Sequence, residues 1–188
     1  RVDASEVGVA LRAGREALER RYGSALGLRG DARGLTLHAP ALREAQIDVA
    51  EARSLLAAAV SAVGADWIES VHTWDQLRAV AREDLAADGI AVLEAASFDE
   101  ERAPDVSLVP RRNVLVAMAS GTSHGTPHAY DRHVPLVFLG PGFEPGTSAE
   151  PVRTVDVVPT LLDRLGLPLP PGLDGRVLGT PPGPSGDD

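Results

Sequence analysis

Apolar positions recur along this chain with two different periods, and the switches between them mark its elements. Val7, Leu11, Leu18 and Tyr22 share one helical face. They follow Asp3-Ala-Ser-Glu6, a capping residue with a Glu three positions on, and Gly23 offers a stop. Leu35, Leu37 and Ala39 then alternate with Thr36 and His38, a short strand pattern. Pro40 suits a first helical turn, and Leu42, Ala45, Val49, Ala52, Leu56, Ala59 and Val63 continue at steps of three and four. That spacing predicts one unbroken helix ended by Gly64. Trp67–Val71 reads as a strand, Thr73 as the cap of a helix to about Arg82, and Asp88–Phe98 as another short helix.

Beyond residue 105 the pattern changes. Asp105–Val109 is a strand candidate, and Asn113–Ala119 and His133–Leu139 are apolar on both alternations, as expected of strands covered on both faces. Thr154–Leu165 is helical in pattern, with Pro159 either interrupting the helix or marking a later start, and Gly166 closes it. A Pro- and Gly-rich tail follows, mobile from Gly179 to Asp188. The expected class is α/β. A small α+β subdomain over 1–109 precedes strands and a helix over 110–178, which read as the end of a larger, mostly parallel sheet.

Composition adds limits. At 188 residues, 44% hydrophobic and 24% charged, the chain can bury one core of ordinary size. A net charge of −9 argues against a nucleic-acid partner, because phosphate contacts need surplus basic residues. All 18 basic residues are Arg, which fits the codon usage of a GC-rich bacterial genome. With no Cys, disulfides and thiolate metal ligands are excluded. No apolar run reaches the roughly 18 residues of a membrane span, and no signal-peptide pattern is present. Opening on Arg1 and entering a helix almost at once, the chain reads as a fragment or processed product.

The candidate chemistry lies in GTSHGTPHAYDRHVP, which holds His124, His128 and His133, three of the five histidines. It follows the 113–119 strand pattern, and the carboxyl ends of strands are where open α/β sheets bind ligands. Histidines four apart share a face only on a helix. Gly125 and Pro127 argue against a helix across His124 and His128, and so against a two-histidine helical zinc site. Three readings stay open: a self-contained metal loop, one histidine serving a site completed elsewhere, or histidines that only hydrogen-bond the loop. His133, at the head of an apolar run, is expected in the core; His38 and His72 are isolated at element edges. Asp131 could orient an imidazole or cap a turn, with the turn favoured. Walker, G-x-S-x-G, H-E-x-x-H and dinucleotide motifs are all missing, so no catalytic nucleophile is marked.

The order of motifs over 121–178 resembles the C-terminal end of the alkaline phosphatase superfamily. The elements are G-T-x-H-G-T-P at Gly121–Pro127, Y-D-x-H-V-P at Tyr130–Pro135, the glycines Gly140 and Gly142, R-T-V-D at Arg153–Asp156, P-T-L at Pro159–Leu161, and G-L-D-G at Gly172–Gly175. The nearest branch holds periplasmic alkaline phosphatases with a threonine nucleophile and type I phosphodiesterase/nucleotide pyrophosphatases. The resemblance implies a site with two Zn2+ ions and makes His124 a ligand of one of them. The nucleophile and other ligands belong to earlier segments and match nothing here. His128 stands where the family often has Tyr, and His133 is not a direct ligand in it.

The resemblance therefore implies the C-terminal part of a periplasmic or secreted phosphomonoesterase or phosphodiesterase, acting on a small phosphoester and inactive as this chain alone. The competing expectations are a non-catalytic scaffold or binding module, or a sulfatase or phosphoglycerate mutase relative. Sheet edges left without partners leave homo-oligomerisation open.

Overall fold

The computed structural model describes residues 4–31, 33–63, 66–80, 89–116 and 124–179. They fall into two compact units, Arg1–His133 and Val134–Asp188. That division follows the density of contacts, whereas the boundary near residue 109 was drawn from the change of pattern.

The first unit packs two helices on an antiparallel sheet. Helix α1 (Ala4–Tyr22) ends where Gly23, at φ +70°, returns its N–H to the Glu19 carbonyl. The sheet has the order β1-β2-β4-β3, from Arg29–Gly30, Gly34–Thr36, Val106–Pro110 and Ile68–Thr73 in that spatial order. Every pairing is antiparallel; Leu35 stands opposite Val106, and Thr73 opposite Val106 on the other side. The central strand β4 is buried from Val106 to Val109, as a strand with neighbours on both edges should be. Ala10 and Leu18 of α1 meet Leu35, Val106 and Leu108 of the sheet in one core. Leu18, Leu35 and Val106 are wholly buried, each contributing about 1.5–3 kcal/mol of burial.

The unbroken helix predicted over 42–63 is two helices, α2 (Ala39–Glu44) and α3 (Val49–Ala62). Gln46 adopts φ +53°, and the Asp48 carboxylate accepts the Glu51 N–H at 2.8 Å, starting α3 afresh. The apolar face runs through the break because Leu42, Ala52, Leu56 and Val60 all enter the same core. Helix α4 (Trp74–Ala79) starts with a capping box between Thr73 and Gln76, and α5 (Ile90–Ala96) follows. Gly64, Arg82 and Asp88, placed at element ends by the sequence, lie outside the described residues.

One ion cluster ties these elements together. Asp105 accepts Arg53 Nε at 2.7 Å on one oxygen and the Leu37 N–H at 2.7 Å on the other. Arg53 also donates to Asp75 at 3.1 Å and lies over the Trp74 ring at 4.5 Å.

The larger parallel sheet does not form among the described residues. Residues 117–119 of the first double-sided run lie outside them. The second, His133–Leu139, is not a strand: Val134, Val137 and Leu139 are 57%, 79% and 98% exposed. A strand meant to be covered on both faces needs a neighbour on each edge, and no described segment supplies one.

In the second unit, a 3-10 turn (Thr154–Asp156) leads into α7 (Val157–Arg164), so the helix starts late enough to place Pro159 in its first turn. Asp156 is buried. Its carboxylate accepts the Arg153 N–H at 2.8 Å and the Arg176 N–H at 2.9 Å. These bonds, the one from Arg176 foremost, hold its carboxyl below the usual carboxylate range. Thr160 Oγ1 donates to the Asp156 carbonyl at 2.6 Å and accepts the Leu178 N–H at 3.0 Å. Gly166, at φ +66°, ends α7, and of the tail from 179 only Gly179 is described.

Candidate functional site

The loop singled out by its histidines belongs to the first unit, beyond the carboxyl end of β4. Its opening residues, Gly121 and Thr122 among them, lie outside the described region, which resumes at His124. His124 is exposed and has no hydrogen-bond partner among the described residues. Gly125 follows at φ +97°, a conformation that suits glycine and turns the chain sharply.

The loop then closes on itself. Thr126 donates both its N–H (2.9 Å) and its hydroxyl (2.6 Å) to Asp131 Oδ2. The two Thr126 bonds hold the Asp131 carboxyl below its usual range, and the nearby His124 and His128 add to the effect. Arg132 Nε donates to the Pro127 carbonyl at 2.8 Å. The stretch includes a single helical turn, α6 (Ala129–Arg132). It begins just after Pro127, so His124 and His128 still share no helix and the argument against a helical zinc pair stands.

Each histidine has a different position. His128, the N-cap residue of α6, is only 9% exposed at its side chain. Its Nε2 hydrogen-bonds the Pro110 carbonyl at 2.8 Å, at the end of β4, and its ring stacks on Tyr130 with centroids 5.6 Å apart. Tyr130 Oη in turn accepts the Asn113 N–H at 3.2 Å. These contacts fasten the loop to the chain just after β4. His133, expected in the core, is exposed instead, because the run it heads does not pair as a strand. His38 caps α2 at the surface. His72, half-buried on β3, meets Ser70 Oγ at 3.0 Å, and burial lowers its pKa.

His124, Thr126 and Asp131 line one side of a cavity of about 800 Å³. Its apolar wall includes Phe98, Leu108 and Val114. Glu94 of α5 faces the same space, and burial pushes its carboxyl above the usual range. The cavity thus presents an imidazole with no hydrogen-bond partner among the described residues, a carboxylate engaged by Thr126, and a carboxyl whose ionisation burial disfavours.

This donor set does not amount to a metal centre. Among the described residues no three His, Asp or Glu side chains converge, whereas a catalytic zinc takes three protein ligands. No described side chains complete a metal centre around His124.

Sequence reasoning missed Glu94 and gave His128 no role. The Thr126-to-Asp131 spacing could have signalled the closed loop, since a short hydroxyl and a carboxylate five residues apart in a Gly/Pro-rich stretch can bond each other. Glu94 carries no local signal, because its burial depends on elements distant in sequence.

No family model matches the chain. Alkaline phosphatase PafA of Elizabethkingia meningoseptica is 31% identical over 80 residues, 42% of this chain and 15% of PafA. Alkaline phosphatase PhoD of Zymomonas mobilis subsp. mobilis is 42% identical over 94 residues, 46% of this chain and 16% of PhoD. Over these stretches the chain is similar to members of the alkaline phosphatase superfamily. Arylsulfatase K of Danio rerio is also similar, at 36% identity over 75 residues, 39% of this chain and 13% of that protein. The fold agrees: the crystal structure of wild-type PafA superposes with a TM-score of 0.71 at 18% identity, covering 90% of this chain and 32% of PafA. The chain therefore spans about a third of that structure and a smaller share of each matched relative.

Proposed function

We propose that this chain is the C-terminal part of a zinc-dependent phosphoester hydrolase and that His124 supplies one ligand to its metal centre. The observation that carries the reading is the ordered motif set, whose first part forms a closed loop with His124 at the wall of a cavity. Similarity to alkaline phosphatases of short matched length supports it. Zinc, when bound in such a centre, stabilises charge on a phosphoryl oxygen. This chain's own contribution is positional: Thr126, Asp131 and His128 fix the loop, and His124 offers a nitrogen that no described residue engages. The proposed branch is that of the threonine-nucleophile alkaline phosphatases and type I phosphodiesterase/nucleotide pyrophosphatases, periplasmic or secreted, acting on a small phosphoester.

With a single described ligand and no marked nucleophile, the chain alone is expected to be inactive. The test is turnover of an aryl phosphate with added Zn2+ by the whole protein and its His124→Ala variant. Unchanged turnover in the variant would remove His124 from the site. The similarity to arylsulfatase K favours one second reading, a sulfate ester as substrate. An aryl sulfate assayed alongside separates the two, and hydrolysis of the sulfate alone would decide for the second. Robust activity of the 188 residues by themselves would overturn the incomplete-site reading, whereas binding without hydrolysis in the whole protein would favour a scaffold.

A further inference from the structure

Helix α7 is turned the opposite way to an ordinary surface helix. Asp156 at its start and Thr160 one turn on are buried, and both take up backbone N–H groups of Arg176 and Leu178. Val158, Leu161 and Leu165 recur at steps of three and four, form one stripe on the other side, and are all exposed. A surface helix normally turns its apolar stripe inward and its polar groups to solvent. The run before α7 has the same unmet need, since Val134, Val137 and Leu139 are exposed on both alternations. An apolar run, a connection and then a helix with an apolar stripe is half of a βαβ unit. In that unit the strand lies in a parallel sheet and the helix covers the face of the sheet. Apolar surface left open in this way marks an interface.

What covers it is indicated by length and charge. The match to PafA takes in 90% of this chain but 32% of PafA, so about two thirds of that chain lies outside the shared fold. A second copy of this chain would set a net charge of −9 against another −9, which opposes association. We propose that the 134–139 run and the apolar stripe of α7 seat the preceding part of the same polypeptide. The run pairs with an apolar edge strand there, and the stripe closes over the face of that sheet. The proposal rests on the reading of this chain as the C-terminal part of a longer hydrolase and names the surface through which it joins the remainder.

This chain has no Cys, so an introduced cysteine reports accessibility at its own position. In the whole protein, Val137→Cys, Leu161→Cys and the exposed control Glu150→Cys are each treated with a water-soluble maleimide, and peptide mapping gives the rate of labelling at each site. Val137→Cys and Leu161→Cys are expected to label about 100-fold more slowly than Glu150→Cys, with the gap closing in urea. Hydrogen exchange of the unsubstituted whole protein gives a second reading that needs no variant to fold. The amides of 136–139 should exchange about 100-fold or more slowly than unstructured backbone. Labelling at the control rate with unprotected amides overturns the proposal, and the hydrolase reading survives if the aryl phosphate is still turned over. Burial that is lost on dilution assigns the surface to a second copy and also overturns it. Burial in a whole protein that hydrolyses neither the phosphate nor the sulfate ester supports the seat and removes the hydrolase reading alone.

Discussion

Asp105→Asn tests the cluster that joins α3, α4 and the sheet. The carboxylate receives Arg53 Nε and the Leu37 N–H, each at 2.7 Å, and the Arg53 and Asp105 side chains are 15% and 13% exposed. Burial of this degree limits screening by salt. In the amide, one oxygen can still accept from Leu37, but the NH2 group then faces the Arg53 N–H donor to donor. A bond to a charged group contributes about 1.5–3 kcal/mol, and a partner left unpaired adds a desolvation cost of about 1–3 kcal/mol. Arg53 keeps Asp75, which is 42% exposed, so part of that second cost is avoided. The expected loss is about 3 kcal/mol. Both tryptophans, Trp67 and Trp74, lie in the first unit, so urea unfolding followed by Trp fluorescence reports that unit alone. Arg53→Met should also destabilise, and the double variant should cost less than the sum by about 1–3 kcal/mol. A loss below about 1 kcal/mol for Asp105→Asn, the range of an exposed ion pair, would refute the reasoning. So would additivity of the two changes.

Other expectations follow from the same geometry. The folded pKa of Asp156 is depressed, so its stabilising effect is present above the ordinary carboxylate range and is lost as pH falls through the depressed value. NMR of the Arg176 amide should show acid-induced release, and Asp156→Asn should flatten that acid response while weakening the second unit at neutral pH. Glu94 has the opposite sign. Its raised folded pKa makes its ionised form a burden at neutral pH, so Glu94→Gln should raise the midpoint of urea unfolding at pH 7 and have little effect in acid. A Cβ at Gly175 would overlap the Val155 carbonyl, and Gly175→Ala should cost about 1–3 kcal/mol, read as loss of amide-exchange protection at Arg176. Asp48→Ala, which removes the cap of α3, should cost about 1 kcal/mol in urea unfolding followed by Trp fluorescence.

Elements whose signal is local were legible from sequence. The stop at Gly23, the Thr73 cap, and the alternation that buries Leu35 and Leu37 appear where the pattern places them. The break between α2 and α3 was hidden because the core accepts Leu42 and Leu56 from either side of it, so the apolar spacing continues through Gln46. The Asp48-to-Glu51 cap lies within that continuous spacing. His133–Leu139 was misplaced for another reason: an apolar run states a demand for cover, while strand formation depends on neighbours that no described segment provides. In the loop, composition pointed to histidine. What closes it, Thr126 on Asp131 and His128 on Pro110, depends on hydrogen bonds that residue counts do not encode.

The motifs that carry the resemblance divide into two physical roles. Those from His124 to Asp131 build a display loop, closed by Thr126 and anchored at Pro110 and Asn113, with His124 at its start. Those from Arg153 to Gly175 build a clamp. Asp156 and Thr160 take up backbone N–H groups of Arg176 and Leu178, and Gly175 allows the close approach. Asp156 and Thr160 thus spend their polar groups on backbone. Charged and hydroxyl side chains at motif positions are therefore no guide to chemistry until their hydrogen bonds are assigned. By that criterion Asp131, Thr126, Asp156 and Thr160 are engaged, and His124 has no hydrogen-bond partner among the described residues.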